Sequence, residues 1–367
     1  MRLWFCLGTA GELIKIYPLL KLAEERGILW FCLSTGQSAI NLKKQWSDFG
    51  LPATQLGVLT LTDRDLDRSS EALRWFFRAN LKNQLRQKVR EVSGHDPSPK
   101  DFWIVHGDTL STLVGSLYGK RLGVPVAHLE AGLRSSKIFE PFPEEITRRM
   151  VSRFAKIHFP QDQKAEENLK KSRVAGKVVP THANTLLDAI RQVLKEKSKI
   201  EIPSKPYVVA NLHRFENLGS SSRWQQMVDV LLRTAKMGYE VHFVLHPPTQ
   251  AKIESDPELQ RTFAQAGIKL IPRMPFTEFI HLLNRADFVL SDGGSNQEEC
   301  FYLGKPCLLL RDSTERVEGL KDGPCLLSQF KPELIDRFLA EPILYKRDTF
   351  DSQISPSQVV LDYLSNV

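Results

Sequence analysis

The feature that most constrains this chain is an alternation. Short apolar runs, each ending in Gly or a small polar residue, are separated by longer stretches with helical spacing. "LWFCLG", "LWFCLST", "FWIVHGD" and "VPVAHLEAG" are such runs in the first half, with "IYPLLKLAEERG" and "TLSTLVGSLYGKRLG" as helical stretches. This is the βαβ signal of a parallel sheet wrapped by helices. After "KSKIEIPSKP", a Lys- and Pro-bearing linker, a second series follows: "YVVANLH", "YEVHFVLH", "IKLIPR", "FVLSDGG" and "PCLLLRD", again with helices such as "SRWQQMVDVLLRTAKMG" between them. The expectation is an α/β chain of two doubly wound domains. A length of 367 residues agrees, at about 100 to 200 residues per domain.

Composition removes several function classes. Hydrophobic residues at 42% and charged residues at 25% describe an ordinary globular chain, not a disordered or fibrous one. The net charge of +7 is spread through mixed-sign helices, so it mildly favours an anionic ligand or surface and argues only weakly for nucleic acid. No RNP-type, zinc-finger or helix-turn-helix pattern is present. Five cysteines without a CxxC pair read as reduced, buried thiols. The apolar stretch before Gly8 is too short for a signal peptide or membrane helix, so a cytoplasmic protein is expected.

The polar clusters fall where strands end. Ligands of open parallel sheets bind at strand carboxyl ends, near helix N-termini. Thr9 and Glu12, then His106-Gly107-Asp108, then Glu130 occupy such points in the first series; His213, His246 and Asp292-Gly293-Gly294-Ser295 occupy them in the second. Two sheets with polar ends suggest a cleft between the domains.

Each cluster has a plain structural reading. Asp108 at a strand-to-helix junction suits an N-cap. Glu130 ends a neighbouring strand, and two nearby carboxylates would push one pKa up and supply an acid and a base. Glu144 and Glu145 in "FEPFPEE" fit the first turn of a helix, as do Glu298 and Glu299 in "SDGGSNQEEC", where a carboxylate complements the dipole. A functional Glu299 would instead face hydrogen-bond donors such as a ribose diol. Gly293 and Gly294 would let backbone N–H groups approach a phosphate. His213 with Arg214 suits a phosphate partner or proton shuttle. His242 reads as a satisfied strand residue. Arg311 and Arg316 flank "RDSTER", with a surface salt bridge as the competing reading for Arg311. Metal-ligand spacings and nucleophile elbows are missing. Leu73 to Arg90 reads as an amphipathic helix with a solvated basic face, although it would also suit an anionic acceptor or membrane surface.

With these residues in view, the chain resembles the non-hydrolysing UDP-N-acetylglucosamine 2-epimerases, which have the glycosyltransferase-B fold. The likeness runs in order through "GTAGELIKIYPLL", "TGQ", "HGDT", "HLEAGLRS", "PFPEE", "ANTLLDAI", "LHRFEN" and "DGGSNQEECFYLGKPCLLLRDSTER". It implies two Rossmann-like domains facing across a cleft: residues 1–180, joined by a C-terminal helix at 352–367, and a UDP-binding domain at 181–351. It implies anti elimination of UDP to a glycal and re-addition from the other face, with Asp108, Glu130 and Glu144 catalytic and His213 aiding the diphosphate. Lys15, Arg134, Phe276, Gly293, Gly294, Ser295, Glu299 and Arg316 would bind the UDP-sugar, Phe276 against uracil. No metal or nicotinamide is implied; a homodimer is.

Three departures stand out. Ala10 and Gly11 replace the family's usual arginine and proline, removing a diphosphate contact. The phosphate loop reads Gly293-Gly294-Ser295 where the family has Ser-Gly-Gly. "TGQ" continues with Ser38, Ala39, Ile40 and Asn41 instead of the residues tied to allosteric binding of a second substrate molecule. Epimerisation for a surface polysaccharide is the first reading. A hydrolysing epimerase, a glycosyltransferase on the same fold and a non-catalytic sensor are the alternatives, and retention of all four acid and histidine positions argues against the last.

Overall fold

The computed structural model describes residues 1–59, 85–135, 144–201, 203, 205–351 and 353–367. They form two compact units, Met1–Ala189 with Gln353–Val367, and Ile190–Ser352. The division falls inside the unbroken helix Leu186–Lys195, later in the chain than the 180/181 boundary expected from sequence.

In the first unit β1 (Leu3–Leu7), β2 (Trp30–Ser34), β3 (Leu56–Val58), β4 (Phe102–His106), β5 (Val126–Leu129), β6 (Ile157–Phe159) and β7 (Lys177–Val178) form one sheet in the order β3-β2-β1-β4-β5-β6-β7. All its pairings are parallel. Successive side chains of a strand point to opposite faces, and β1 uses both. Leu3, Phe5 and Leu7 join a layer with Leu13, Ile16 and Leu20 of the helix Ala10–Glu25 and with Val360, Leu361 and Leu364 of the helix Pro356–Ser365. Trp4 and Cys6 join the opposite layer with Trp103, Val105 and the helix Leu110–Leu122. A central strand buried on both faces must be apolar throughout, which is why "LWFCL" shows no alternation.

The second unit repeats the scheme. β8 (Tyr207–Asn211), β9 (Glu240–Leu245), β10 (Lys269–Pro272), β11 (Phe288–Ser291), β12 (Cys307–Leu309) and β13 (Cys325–Leu327) lie in the order β10-β9-β8-β11-β12-β13, again all parallel. Val208, Ala210, Phe243, Phe288 and Leu290 pack with Met227 and Leu231 of the helix Ser221–Lys236. All five cysteines are free and buried, as the sequence suggested. Among the described residues no helix is long and apolar enough to cross a membrane. Of the basic stretch Leu73–Arg90, residues up to 84 lie outside the described ones; the rest opens the helix Leu85–Ser93, which buries Val89.

Each sheet has one place where the strand order reverses, between β1 and β4 and between β8 and β11. Connections leave in opposite directions there, and the carboxyl ends open into a crevice. The helix Leu110–Leu122 sits close on the first sheet, with Gly119 over β4 and β5. A Cβ added to Gly119 would lie 2.7 Å from Val126 Cγ2 and 2.8 Å from the Trp103 ring. We therefore expect Gly119→Ala to lose about 1–3 kcal/mol through overpacking, despite alanine's better helix propensity. A lower urea midpoint by tryptophan fluorescence would show it, and an unchanged or higher midpoint would refute the close-packing account.

Candidate active site

In the first unit the turn after β1 is closed by its own side chains. Thr9 caps the helix Ala10–Glu25, and Glu12 completes a capping box. Glu12 Oε2 accepts from Gly8 N at 2.7 Å and Thr9 N at 2.9 Å, while Oε1 accepts from Thr109 Oγ1 at 2.6 Å and Thr112 Oγ1 at 3.1 Å. Burial pushes the Glu12 carboxyl up, opposed by these hydrogen bonds. Glu12 thus braces the turn after β1 against the turn after β4, a structural role.

One helical turn further, Lys15 reaches the carboxylate that ends β5. Lys15 Nζ lies 2.9 Å from Glu130 Oε2, and His106 Nε2 lies 3.4 Å from the same oxygen. All three side chains are buried, although the Glu130 residue as a whole is half-buried. Glu130 holds φ at +57°, the left-handed region that a non-glycine residue occupies at a cost of about 1–2 kcal/mol. The surrounding contacts over-determine that conformation.

Asp108 follows β4, which pairs with β5, so the two carboxylates do end neighbouring strands. The N-cap of the helix Leu110–Leu122 is Thr109, accepting from Thr112 N, so Asp108 is not the cap. Instead Asp108 Oδ2 accepts from Arg148 Nε at 2.8 Å and from Arg148 Nη2. Arg148 Nη1 also meets Glu145 Oε2 at 3.4 Å; Arg149 Nε donates to Glu145 Oε1 at 2.9 Å and Ser135 N to Oε2 at 3.0 Å. Each of the two carboxylates at these strand ends meets a cation: Asp108 meets Arg148, which it shares with Glu145, and Glu130 meets Lys15. Glu144, half-buried, opens the helix Glu144–Phe154 with Glu145 in its first turn. The preceding "FEPFP" lies outside the described residues. Arg134 lies at the edge of this cluster, within the electrostatic reach of Glu145, Arg148 and Arg149: its Nη1 donates to Leu133 O at 2.7 Å and its Nη2 to Ser152 Oγ at 3.1 Å. The guanidinium beside Asp108 is Arg148, which sequence reasoning did not single out.

In the second unit the crevice between β8 and β11 gathers a different set. Asp292, fully buried, accepts from the backbone N–H groups of His213 at 2.9 Å and Arg214 at 3.0 Å and from Asn217 Nδ2 at 3.0 Å, fixing the loop that carries His213. Asn211 Nδ2 donates to Val244 O, so its Oδ1 faces His213 Nδ1 at 3.0 Å. This assigns the proton to Nδ1 and leaves the Nε2 lone pair as acceptor. Burial, with Arg214 and Arg273, pushes the His213 pKa down against the pull of Asp292. His246 stacks on His213 with centroids 4.3 Å apart, and burial lowers its pKa to about 3.

The glycines open the helix Gly294–Leu303, with Gly293 as N-cap. A Cβ at Gly293 would lie 2.9 Å from His213 Cε1, and one at Gly294 3.0 Å from Arg316 Nε. His213, both glycines and Arg316 therefore converge on one helix N-terminus. Because the helix starts at Gly294, Glu298 and Glu299 fall beyond its first turn, contrary to the sequence reading. Both are buried: Glu298 Oε1 pairs with Arg316 Nη1 at 2.8 Å, and Glu299 Oε2 accepts from Asn296 Nδ2 at 2.7 Å. Ser295 is exposed. Arg311 is also buried, paired with Glu315 at 3.2 Å, so the surface salt-bridge reading is replaced by an internal one. Phe276 is buried at the start of the helix Phe276–Arg285. His242 is buried beside Glu240, as expected. Among the described residues no group of three or more His, Cys, Asp or Glu could hold a metal ion.

Comparison with known proteins gives a consistent result. Residues 87–354 match the family model described as UDP-N-acetylglucosamine 2-epimerase. Curated proteins of that name from Bacillus subtilis (strain 168) and Salmonella borreze are 30% and 31% identical, over 95% and 99% of this chain and 89% and 97% of their own. The crystal structure of UDP-GlcNAc 2-epimerase from Neisseria meningitidis bound to UDP-GlcNAc matches with TM-score 0.81 at 26% identity over the whole of both chains. That of the Methanocaldococcus jannaschii enzyme in complex with UDP-GlcNAc and UDP matches with TM-score 0.79, also at 26% identity and complete coverage.

The base of the first-unit cluster carries a pH dependence. His128 Nε2 bonds Gly107 O at 2.8 Å, which a carbonyl permits only if Nε2 holds the proton, and Nδ1 is buried with no partner among the described residues. Burial depresses the pKa from 6.5 to about 3, so the unfolded chain binds more protons between these values. The stability from neutral His128 is fully present above about pH 6.5 and is lost as pH falls toward about 3, at up to about 1.4 kcal/mol per pH unit. His128→Gln keeps a donor but cannot be protonated, so its melting temperature should fall less steeply over that window. Parallel slopes in the two proteins would refute this.

Proposed function

The chain belongs to the UDP-N-acetylglucosamine 2-epimerase family, and on that premise we propose that it interconverts UDP-GlcNAc and UDP-ManNAc by elimination and re-addition of UDP. The observation that carries the reading is the pair of acids at the ends of β4 and β5, Asp108 and Glu130, each held by a buried cation. C2 of the sugar has no adjacent carbonyl, so its proton cannot leave through an enolate. Expelling UDP from C1 as the C2 proton departs gives a glycal instead. Returning UDP to C1 and a proton to the other face of C2 completes the inversion. This demands one group to take a proton and another to deliver one. Asp108, Glu130 and Glu144 are the candidates, Asp108 oriented by two N–H donors of Arg148 and Glu130 by Lys15 and His106.

UDP must be held during the intermediate's lifetime, or the reaction ends as hydrolysis. Gly293 and Gly294 at a positive helix end, with Arg316 alongside, suit the diphosphate, and the Nε2 acceptor of His213 suits a protonated phosphate oxygen or a proton transfer. Buried Glu299 suits the ribose diol and Phe276 the uracil. With Ala10 and Gly11 contributing no cation, these second-unit groups bear the diphosphate charge. The family's homodimer, cytoplasmic location and role in surface polysaccharide synthesis are carried over as part of the proposal.

Proton NMR in deuterated water with UDP-GlcNAc tests the reaction. Deuterium at C2 together with UDP-ManNAc signals is the expected result. Free sugar with UDP would replace epimerisation by hydrolysis, and an unchanged, undeuterated substrate would sink the assignment. Asp108→Asn removes a proton-transfer group with little change of shape, and kcat should fall about 10²- to 10⁴-fold. A variant within a few-fold of wild type would take Asp108 out of the chemistry.

A further inference from the structure

The segment "ANTLLDAI" takes no part in the scheme above, yet it builds the wall behind Glu130. Asn184 Nδ2 donates to Gln161 Oε1 at 2.6 Å, and Asn184 Oδ1 accepts from Leu186 N at 3.0 Å. Asp188 Oδ2 accepts from Ser355 Oγ at 2.9 Å and Ser357 N at 2.8 Å, clamping the start of the helix Pro356–Ser365. Between these two anchors stands Thr185. It is buried, and its Oγ1 has no hydrogen-bond partner among the described residues.

Thr185 lines a cavity of about 10 Å³ whose wall also includes Glu130, His106, Gln161, Thr181 and Val360. A polar cavity of about 10–15 Å³ is the size that one water occupies, and a buried water needs two to four polar partners. Thr185 and Glu130 put two such polar groups on the wall, beside the apolar Leu129, Phe159 and Val360, and a buried hydroxyl without a partner is the kind of group that such water satisfies. Lys15 and His106 both meet Glu130 at Oε2, and the backbone there is held at φ +57°. Glu130 thus lines the cavity while its Oε2 meets Lys15 and His106.

We propose that one water in this cavity joins the Thr185 hydroxyl to the Glu130 carboxylate, making Thr185 a positioning residue for proton transfer at the sugar. The link to proton transfer rests on the epimerase reading; the water bridge does not. The C-terminal helix has a part in it, since Val360 closes the cavity and Asp188 holds that helix in place.

Two substitutions separate the hydroxyl from the methyl of Thr185. Thr185→Val keeps the shape and removes the hydroxyl. Its kcat should drop about tenfold with KM unchanged, as expected of a misplaced catalytic group. The acidic limb of its pH–rate profile should move up, because a carboxylate that loses a hydrogen-bond donor ionises less readily. Thr185→Ser should recover both. Wild-type kcat and profile in Thr185→Val, or Thr185→Ser as impaired as Thr185→Val, would overturn the proposal. An atomic-resolution crystal structure of the wild type tests the bridge without activity. A water within hydrogen-bond distance of both Thr185 Oγ1 and Glu130 supports it; a dry cavity, or a water touching only one of them, refutes it. If the wild type leaves UDP-GlcNAc unchanged, the epimerase reading fails, while the crystallographic result still decides the bridge.

Discussion

A parallel sheet buried on both faces has almost nowhere to display chemistry. Its strands must be apolar from end to end, since a polar side chain within them would lose its hydration without a partner. Leu3 to Leu7 and Tyr207 to Asn211 are buried at every position. Polar groups that must meet a solute are pushed to the carboxyl ends, where the chain turns into a helix. The places where strand order reverses, β1/β4 and β8/β11, leave those ends uncovered by a crossover. That single constraint puts Glu12, Lys15, Asp108 and Glu130 near one such point, and His213, Asp292, Gly293 and Gly294 at the other.

The same constraint explains what could be read before any coordinates. Long apolar runs with small residues after them mark the central strands, and every run quoted from the sequence contains a strand. β3, β6, β7 and β13, of two or three residues each, were not singled out, since so short a strand cannot display a period; β12, equally short, was legible only from the apolar run "CLLL" around it. Site residues at strand ends were legible for the same topological reason. Their partners were not. Arg148 finds Asp108 forty positions away in sequence, and Arg316 finds Glu298 only once the chain has turned back from β12. His246 looks like any residue closing a strand until its ring is seen on His213. Local rules also misjudged two caps: Thr109 outcompetes Asp108, and the helix start at Gly294 leaves Glu298 and Glu299 past the first turn.

The buried ion pairs make the strongest physical case that these crevices are more than structural. Lys15–Glu130, Arg148–Glu145 and Arg316–Glu298 all join largely buried side chains. Removing two charges from water costs several kcal/mol per ion, and their attraction returns little more than that. Well-packed apolar residues of similar volume would hold the fold as well or better. Such pairs in the described core are not scattered at random. Lys15–Glu130 stands at the end of β5, Arg148–Glu145 reaches Asp108 after β4, and Arg316–Glu298 flanks the glycines after β11. Glu130 adds a left-handed backbone on top of its desolvation. Charges held in fixed positions beside strand ends suit a solute that carries charge itself, as a diphosphate sugar does.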